Sequence, residues 1–295
     1  MLRPTLLCLA GLLAAPLSAQ ERDFSTVEIK TTPLRGGLHM LQGGGGNIVA
    51  CVGTDGVVII DDQYAPLSDK IRLALKQLSE QPTRFVINTH WHGDHTGGNE
   101  AFGKANAVIV AHENVRTRMS TPQFVAALKM DVPASPAAAL PVVTFTDGVT
   151  LHLNGQTATV VHVEHAHTDG DALVHFAEAN VLHMGDVYFN GLYPFIDVSS
   201  GGSIGGFLKG IERGIALSDA DTMIVPGHGP LSNRAELIAY RAMLAGFRDA
   251  VQKLKNAGKT LEETIAAKPT AEFDEKLGGA FIKPEQLVEF IYSSL

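Results

Sequence analysis

His90, His92, Asp94 and His95 stand within six consecutive positions of the stretch "THWHGDHTGG", Thr89 to Gly98. The chain has 12 His in 295 residues, so this density asks for a chemical cause. Neutral imidazole and carboxylate are good ligands for Zn²⁺ and for other cations that favour nitrogen and oxygen. His90 and His92 are two apart, so an extended segment leaving a strand points both the same way. Asp94 and His95 can turn to the other side of a small pocket, with Gly93, Gly97 and Gly98 permitting the tight backbone. Four donors on one loop exceed one tetrahedral site with an open position, so two neighbouring cations are expected.

Further ligands should then follow other strand ends. "HAHTDGD" offers His165 and His167 after the run "TATVVHV", "HMGD" brings Asp186, and "IVPGHGP" sets His228 between glycines. Each lies where a strand's carboxyl end meets a loop, the usual place for functional groups in α/β folds. A lone His there is ordinarily a hydrogen-bonded structural residue. Four such strand ends, all bearing His or Asp, need another explanation.

The elements that must position these groups are legible from periodicity. Residues 24–62 read as β-structure with a "TDG" turn. "GGGG" at 43–46 lacks the Gly-Lys-Ser/Thr of a phosphate cradle and reads as a turn beside the site. "APLSDKIRLALKQLSEQ" predicts a helix capped by Ser68, with Ile71, Leu75 and Leu78 on one face. "RFVINT" is a strand that ends at the histidine cluster. Helices are expected at about Glu113–Met119 and near Pro122–Lys129, followed by a Pro/Ala-rich surface loop. From Val142 to Asp186 the pattern returns to β, then "SIGGFLKGIERGIALS" predicts a helix and "TMIVPG" a strand. The C-terminal third is mainly helical. Two halves, each a strand block followed by helices, predict a layered α/β sandwich.

His-x-His-x-Asp-His at 90–95, then His167 in "HTDGD", Asp186 in "GD" and His228 in "PGHG", resemble the metallo-β-lactamase-fold hydrolase superfamily. The resemblance runs from about residue 28 to 235 and implies a four-layer αββα sandwich with metals at one edge between the sheets. It implies His90, His92 and His167 at a first metal, Asp94, His95 and His228 at a second, and Asp186 bridging both. His167 is followed by Thr168 as in the family, which leaves His165 as a nearby polar group. His39, His112, His152, His162, His175 and His183 lack the motif and read as structural. Zinc β-lactamases usually lack the bridging Asp. An Asp there together with His95 resembles glyoxalase II-like thioesterases and lactonases.

The resemblance implies an enzyme that holds two Zn²⁺ per chain, with iron or manganese as other occupants. It implies hydrolysis of a small ester, lactone, thioester or β-lactam amide. A water shared by two metals loses its proton near neutral pH and attacks a polarised carbonyl. Asp94 is the candidate catalytic group, binding metal and orienting the nucleophile. Three other readings stay open: a zinc β-lactamase proper, an iron-dependent oxidoreductase like the sulfur dioxygenases, and an exported metal-binding protein without turnover. Asp61 and Asp62 end the strand "VVIIDD", where a carboxylate could receive a ligand His N–H, and Asp171 is similarly placed. Tyr188, Asn190 and Tyr193 are candidate substrate-pocket residues, a Tyr hydroxyl there being able to support an oxyanion.

Composition bounds the rest. Residues 1–19 have the form of an export leader: Arg3, an apolar Leu6–Leu17, and a small residue at the expected cut after Ala19. A dozen apolar residues fall short of the roughly 20 that span a bilayer, so no stable membrane insertion is expected. The expected mature protein, periplasmic or secreted, is a single domain over residues 24–295 with a helical C-terminal part. A net charge of −8 with no basic run argues against nucleic acid as a partner and leaves a small-molecule substrate. Cys51, the only Cys beyond the leader, reads as a small buried strand residue without a disulfide. Oligomeric state has no sequence signal.

Overall fold

Apolar runs such as "VVII" need cover on both faces, which only an interior sheet provides. The computed structural model describes residues 23–295; the expected leader, residues 1–19, lies outside the described residues. Six strands come first: β1 Lys30–Pro33, β2 Leu38–Gln42, β3 Ile48–Cys51, β4 Val57–Ile60, β5 Thr83–Ile87 and β6 Val108–His112. A hairpin of β7 Gln123–Val125 and β8 Met130–Val132 follows. Then β9, Val143–Phe145, completes a seven-stranded sheet in the order β1-β2-β3-β4-β5-β6-β9. The second sheet has six strands in chain order: β10 Gly148–Leu153, β11 Gln156–His162, β12 Ala172–Phe176, β13 Val181–His183, β14 Met223–Val225 and β15 Ser232–Asn233.

The helices are α1 Ser68–Leu78, α2 Gly93–Thr96, α3 Asn99–Lys104, α4 Glu113–Met119 and α5 Ile204–Ala216, then α6 Arg234–Asn256, α7 Leu261–Ala266, α8 Ala271–Leu277 and α9 Pro284–Ser293. Alternate strand residues face opposite layers. Val58 and Ile60 join Val49, Cys51, Val160 and Val174 between the sheets. Val57 and Ile59 turn outward beneath Ile71 and Leu75 of α1 and Phe102 of α3. On the far side Leu173 and Leu182 pack with Phe207 of α5, Leu237 of α6 and Ile291 of α9. The expected four-layer αββα sandwich results, and burying each such side chain contributes about 1.5–3 kcal/mol. No helix among the described residues is long and apolar enough to cross a membrane.

Two local expectations are corrected. Ser68 does not cap α1; it is the first helical residue, entered from the turn Ala65–Leu67, and its hydroxyl donates back to the Ala65 carbonyl at 2.8 Å. The helix expected near Pro122–Lys129 is the β7–β8 hairpin, closed by a turn at Ala126–Leu128 with Lys129 at φ 50°. From 122 to 130 only Val125 is buried. A helix there would have had no apolar stripe to bury, so strand pairing of Gln123 with Val132 prevails over helix propensity.

Candidate metal centre

Strand register brings the donors together. β13 and β14 run parallel with His183 beside Val225, so Asp186 and His228, each three residues further on, emerge side by side. β4 and β5 run parallel with Ile60 beside Ile87, which sets Asp61 next to the segment that begins the histidine loop. Asp61 is at φ 64°, and both its oxygens turn back: Oδ1 accepts the Thr89 N–H at 2.7 Å and Oδ2 the Thr89 hydroxyl at 2.8 Å. Asn47 N–H donates to the Gly227 carbonyl and ties the two sheets across the site, while Gly46 N–H donates to the Asp94 carbonyl and joins two loops of the first sheet.

All seven expected residues meet in this one place. Donor atoms of His90, His92 and His167 form one group, those of His90, His95 and Asp186 a second, and those of Asp94, His95 and His228 a third, each within 4.8 Å. Asp186 is shared: Oδ2 lies 3.4 Å from His228 Nε2 and 3.6 Å from His167 Nε2, and Oδ1 lies 3.1 Å from His95 Nε2.

Whether cations fit is decided by the outward nitrogens. His167 Nδ1 donates to the Phe195 carbonyl at 2.8 Å, and His92 Nε2 to Asp197 Oδ2 at 3.0 Å. Their inner nitrogens, 2.8 Å apart, are therefore lone pairs facing one another. His90 Nε2 and Asp186 Oδ1 are buried without a hydrogen bond. Acceptors crowded without donors repel unless positive charge lies among them, and an N/O donor set of this kind suits a divalent cation. Burial pushes His90 well down and His167 down to about 4, keeping both neutral, the ligand form. Burial also works against the charged His228, but Asp186 outweighs it and lifts that ring to about 9. In the same way burial is outweighed at Asp186, which His228 and His95 hold well below the usual carboxylate range. Without a cation, protons supply the missing positive charge.

A profile of the metallo-beta-lactamase superfamily matches residues 41–256, which includes every one of these donors. The chain belongs to this superfamily. It is 27% identical to the hydroxyacylglutathione hydrolase of Polaromonas sp. over 200 residues, 66% of this chain and 65% of that protein. It is also 27% identical to the 2,4-dinitroanisole O-demethylase subunit alpha of Nocardioides sp. over 165 residues, 55% and 47% of the two chains. The chain thus spans less than two thirds of the length of the curated relatives it matches. Among solved structures, the metallo-beta-lactamase from Pontibacter korlensis superposes with a TM-score of 0.62 at 19% identity, covering 74% of this chain and 99% of that one. The sec-alkylsulfatase from Pseudomonas sp. gives 0.65 at 18% identity, covering 90% and 50%. Likeness at these identities establishes the shared fold.

Around the superfamily's donor cluster, Asp61 receives the His95 Nδ1–H at 2.7 Å, as its strand-end position suggested. Asp62 and Asp171 do not reach a ligand imidazole. Asp62 accepts the Gly98 N–H, and Asp171, which burial pushes up to about 7, accepts the N–H and hydroxyl of Thr168. His165, at φ 51°, bonds the Gly201 carbonyl and stays outside the cluster. Asp197 was not foreseen; in "FIDVSS" nothing separates it from an ordinary turn residue. The "GGGG" turn is a close approach: a Cβ on Gly46 would lie 2.1 Å from the His95 ring.

A cavity of about 400 Å³ opens onto His92, Asp94, Asp186 and His228. Of the three candidate pocket residues, only Tyr193 lines it, with its ring, because its hydroxyl donates away to Asp274 at 2.8 Å. The Tyr188 hydroxyl pairs with Ser232 and the Asn190 amide donates to the Pro230 carbonyl, so neither faces the cluster. An oxyanion role for these tyrosine hydroxyls is corrected accordingly. The walls come instead from Trp91, the β7–β8 hairpin, Phe189 and Phe195, and from Phe281 before α9.

Proposed function

We propose that this chain is a metal-dependent hydrolase cleaving a small ester, lactone, thioester or β-lactam amide, with two divalent cations, zinc first among them. The observation that carries the reading is the buried convergence of inward imidazole lone pairs around Asp186 at the floor of a cavity. His90, His92 and His167 would hold one cation and Asp94, His95 and His228 the other, with Asp186 between them. When bound, such cations polarise a carbonyl and lower the pKa of water towards about 7.

The chain's own groups prepare that chemistry. Asp61, Asp197 and the Phe195 carbonyl each hold an imidazole by its outer nitrogen, so the inner donors stay aimed without cost at the moment of binding. Asp94 is the cluster carboxylate on the cavity floor most open to solvent, and His228 lies 3.3 Å from its Oδ2. Burial raises it, but His95 and His228 hold it ionised, so it can accept a hydrogen bond from an attacking water and orient it. Trp91 and Phe189 line the cavity beside these groups and give the floor apolar neighbours.

Similarity to a hydroxyacylglutathione hydrolase supports carbonyl hydrolysis, and a thioester in particular. Export with removal of residues 1–19 belongs to the same proposal, and N-terminal sequencing of the secreted or periplasmic protein tests it. The functional test is metal analysis of the purified protein alongside a screen of aryl esters, lactones, thioesters and nitrocefin. Two zinc ions per chain with hydrolysis of one class is the expected result. One iron per chain with oxygen consumption overturns the reading, and so does metal binding without turnover of any class.

A further inference from the structure

Resting on the hydrolase reading, we infer that the cavity selects an uncharged substrate bearing an aliphatic or aryl group and discriminates against anionic acyl groups. The mouth is apolar and solvent-exposed. Leu128, Met130 and Phe281 line it and are 38%, 46% and 62% exposed, which leaves large hydrophobic side chains of one cavity facing solvent. Apolar surface of this kind, concave and continuous with a polar floor, is what a ligand's hydrocarbon part covers. The volume of about 400 Å³ suits a small substrate.

Charge points the same way. Among the described residues no Lys or Arg lines the cavity, and its carboxylates and imidazoles are those of His92, Asp94, Asp186 and His228, all in the cluster. Lys129 lies between two lining residues without lining the cavity itself. Lys283, two residues past Phe281, donates to the Gly279 carbonyl at 3.0 Å. Arg118 is held by both oxygens of Asp169 at 2.7 Å. The cations proposed for the floor would offset its two carboxylates, so the discrimination rests on the walls: a carboxylate at the far end of an acyl chain would meet apolar surface with no described Lys or Arg to receive it. Moving a charge from water against apolar walls without a partner is costly.

The inference is tested on the zinc-loaded full chain with p-nitrophenyl acetate, butyrate and hexanoate, and with the anionic mono-p-nitrophenyl glutarate. Each added methylene should raise kcat/KM about threefold to fourfold, or about 100-fold across the series. The glutarate ester should fall at least tenfold below butyrate. Replacing both Leu128 and Met130 by Ser should lower the hexanoate-to-acetate ratio about tenfold. A second readout needs no turnover. Trp91, the one tryptophan of the chain, lines the cavity, so its fluorescence should respond saturably to 1-octanol at far lower concentration than to 1-butanol. A flat chain-length series, a preference for the glutarate ester or for an S-acylglutathione, or no saturable Trp91 response overturns the inference. A saturable Trp91 response without hydrolysis of any ester overturns the hydrolase reading and leaves the cavity assignment standing.

Discussion

Asp197 Oδ2 lies 3.0 Å from Nε2 of His92, a residue 105 positions earlier in the chain. The acceptor keeps the proton of His92 on Nε2 and turns Nδ1 inward, towards His167. The other oxygen of Asp197 accepts the Ser199 hydroxyl, and Ser199 Oγ accepts the Ala126 N–H at 3.2 Å. Two side chains thus join the rim of the cavity, at the β7–β8 hairpin, to an imidazole on its floor.

Removing that carboxylate should be felt at the cations before it is felt in the fold. In Asp197→Asn the amide can present a donor where an acceptor is needed, so zinc affinity should fall about 10- to 100-fold. Chelator competition measures it, with circular dichroism to confirm folding. An unchanged affinity would mean that Asp197 does not set the orientation of His92.

Cation binding should stabilise the chain, because it relieves the crowding of inward acceptors. At 100 times the dissociation constant the gain is about 2.7 kcal/mol per site. For a protein of this size that raises Tm by about 5–10 °C. Calorimetry with and without zinc shows it, and Asp186→Ala should lose most of the shift. An identical Tm in both conditions would remove the metal centre from the account.

Two glycines should respond in opposite directions to alanine. Gly46→Ala drives a methyl into the His95 ring, and overpacking of this kind costs about 1–3 kcal/mol. Gly205→Ala, in the first turn of α5 with nothing within 4 Å, should stabilise by about 0.4–1 kcal/mol by restricting the unfolded chain. Denaturant titration separates them, and a Gly46→Ala variant as stable as the parent would contradict the close approach.

Acid should weaken the fold in part through His112. This ring stacks on His162 with centroids 3.8 Å apart, and its Nδ1 accepts the Asn114 N–H that starts α4. Burial, and then the neighbouring His162, hold its pKa below 6.5 in the folded state. As pH falls through 6.5 the unfolded chain takes up the proton first, so stability is lost until the folded value is passed. Between about pH 7.5 and 5 the parent should lose more stability than His112→Asn, which keeps a cap acceptor. Equal losses would rule His112 out as a contributor.

Much of the layered fold is written in local pattern. The unbroken apolar run Val57–Ile60 and the helical spacing at Ile71 and Leu75 follow from which faces can be buried, and both are recovered in three dimensions. The hairpin at 123–132 is not recovered, since "QFVAALKM" has helix propensity but no interior surface awaiting it. Ser68 misleads in a smaller way: a good cap residue becomes an ordinary first-turn residue because the preceding turn already enters the helix.

The seven donors are legible because cation ligands must be particular residue types, and those types are rare enough in combination to stand out as "HWHGDH", "HT", "GD" and "GHG". Type and short-range spacing are properties of the chain itself. Asp61 and Asp197 as the holders of His95 and His92, the Gly46 approach, and the apolar mouth built from residues 125–132 and 281 are properties of packing. They depend on register between strands and on contacts spanning 34 to 105 residues, and a carboxylate or a leucine carries no local mark of the distant partner it will meet.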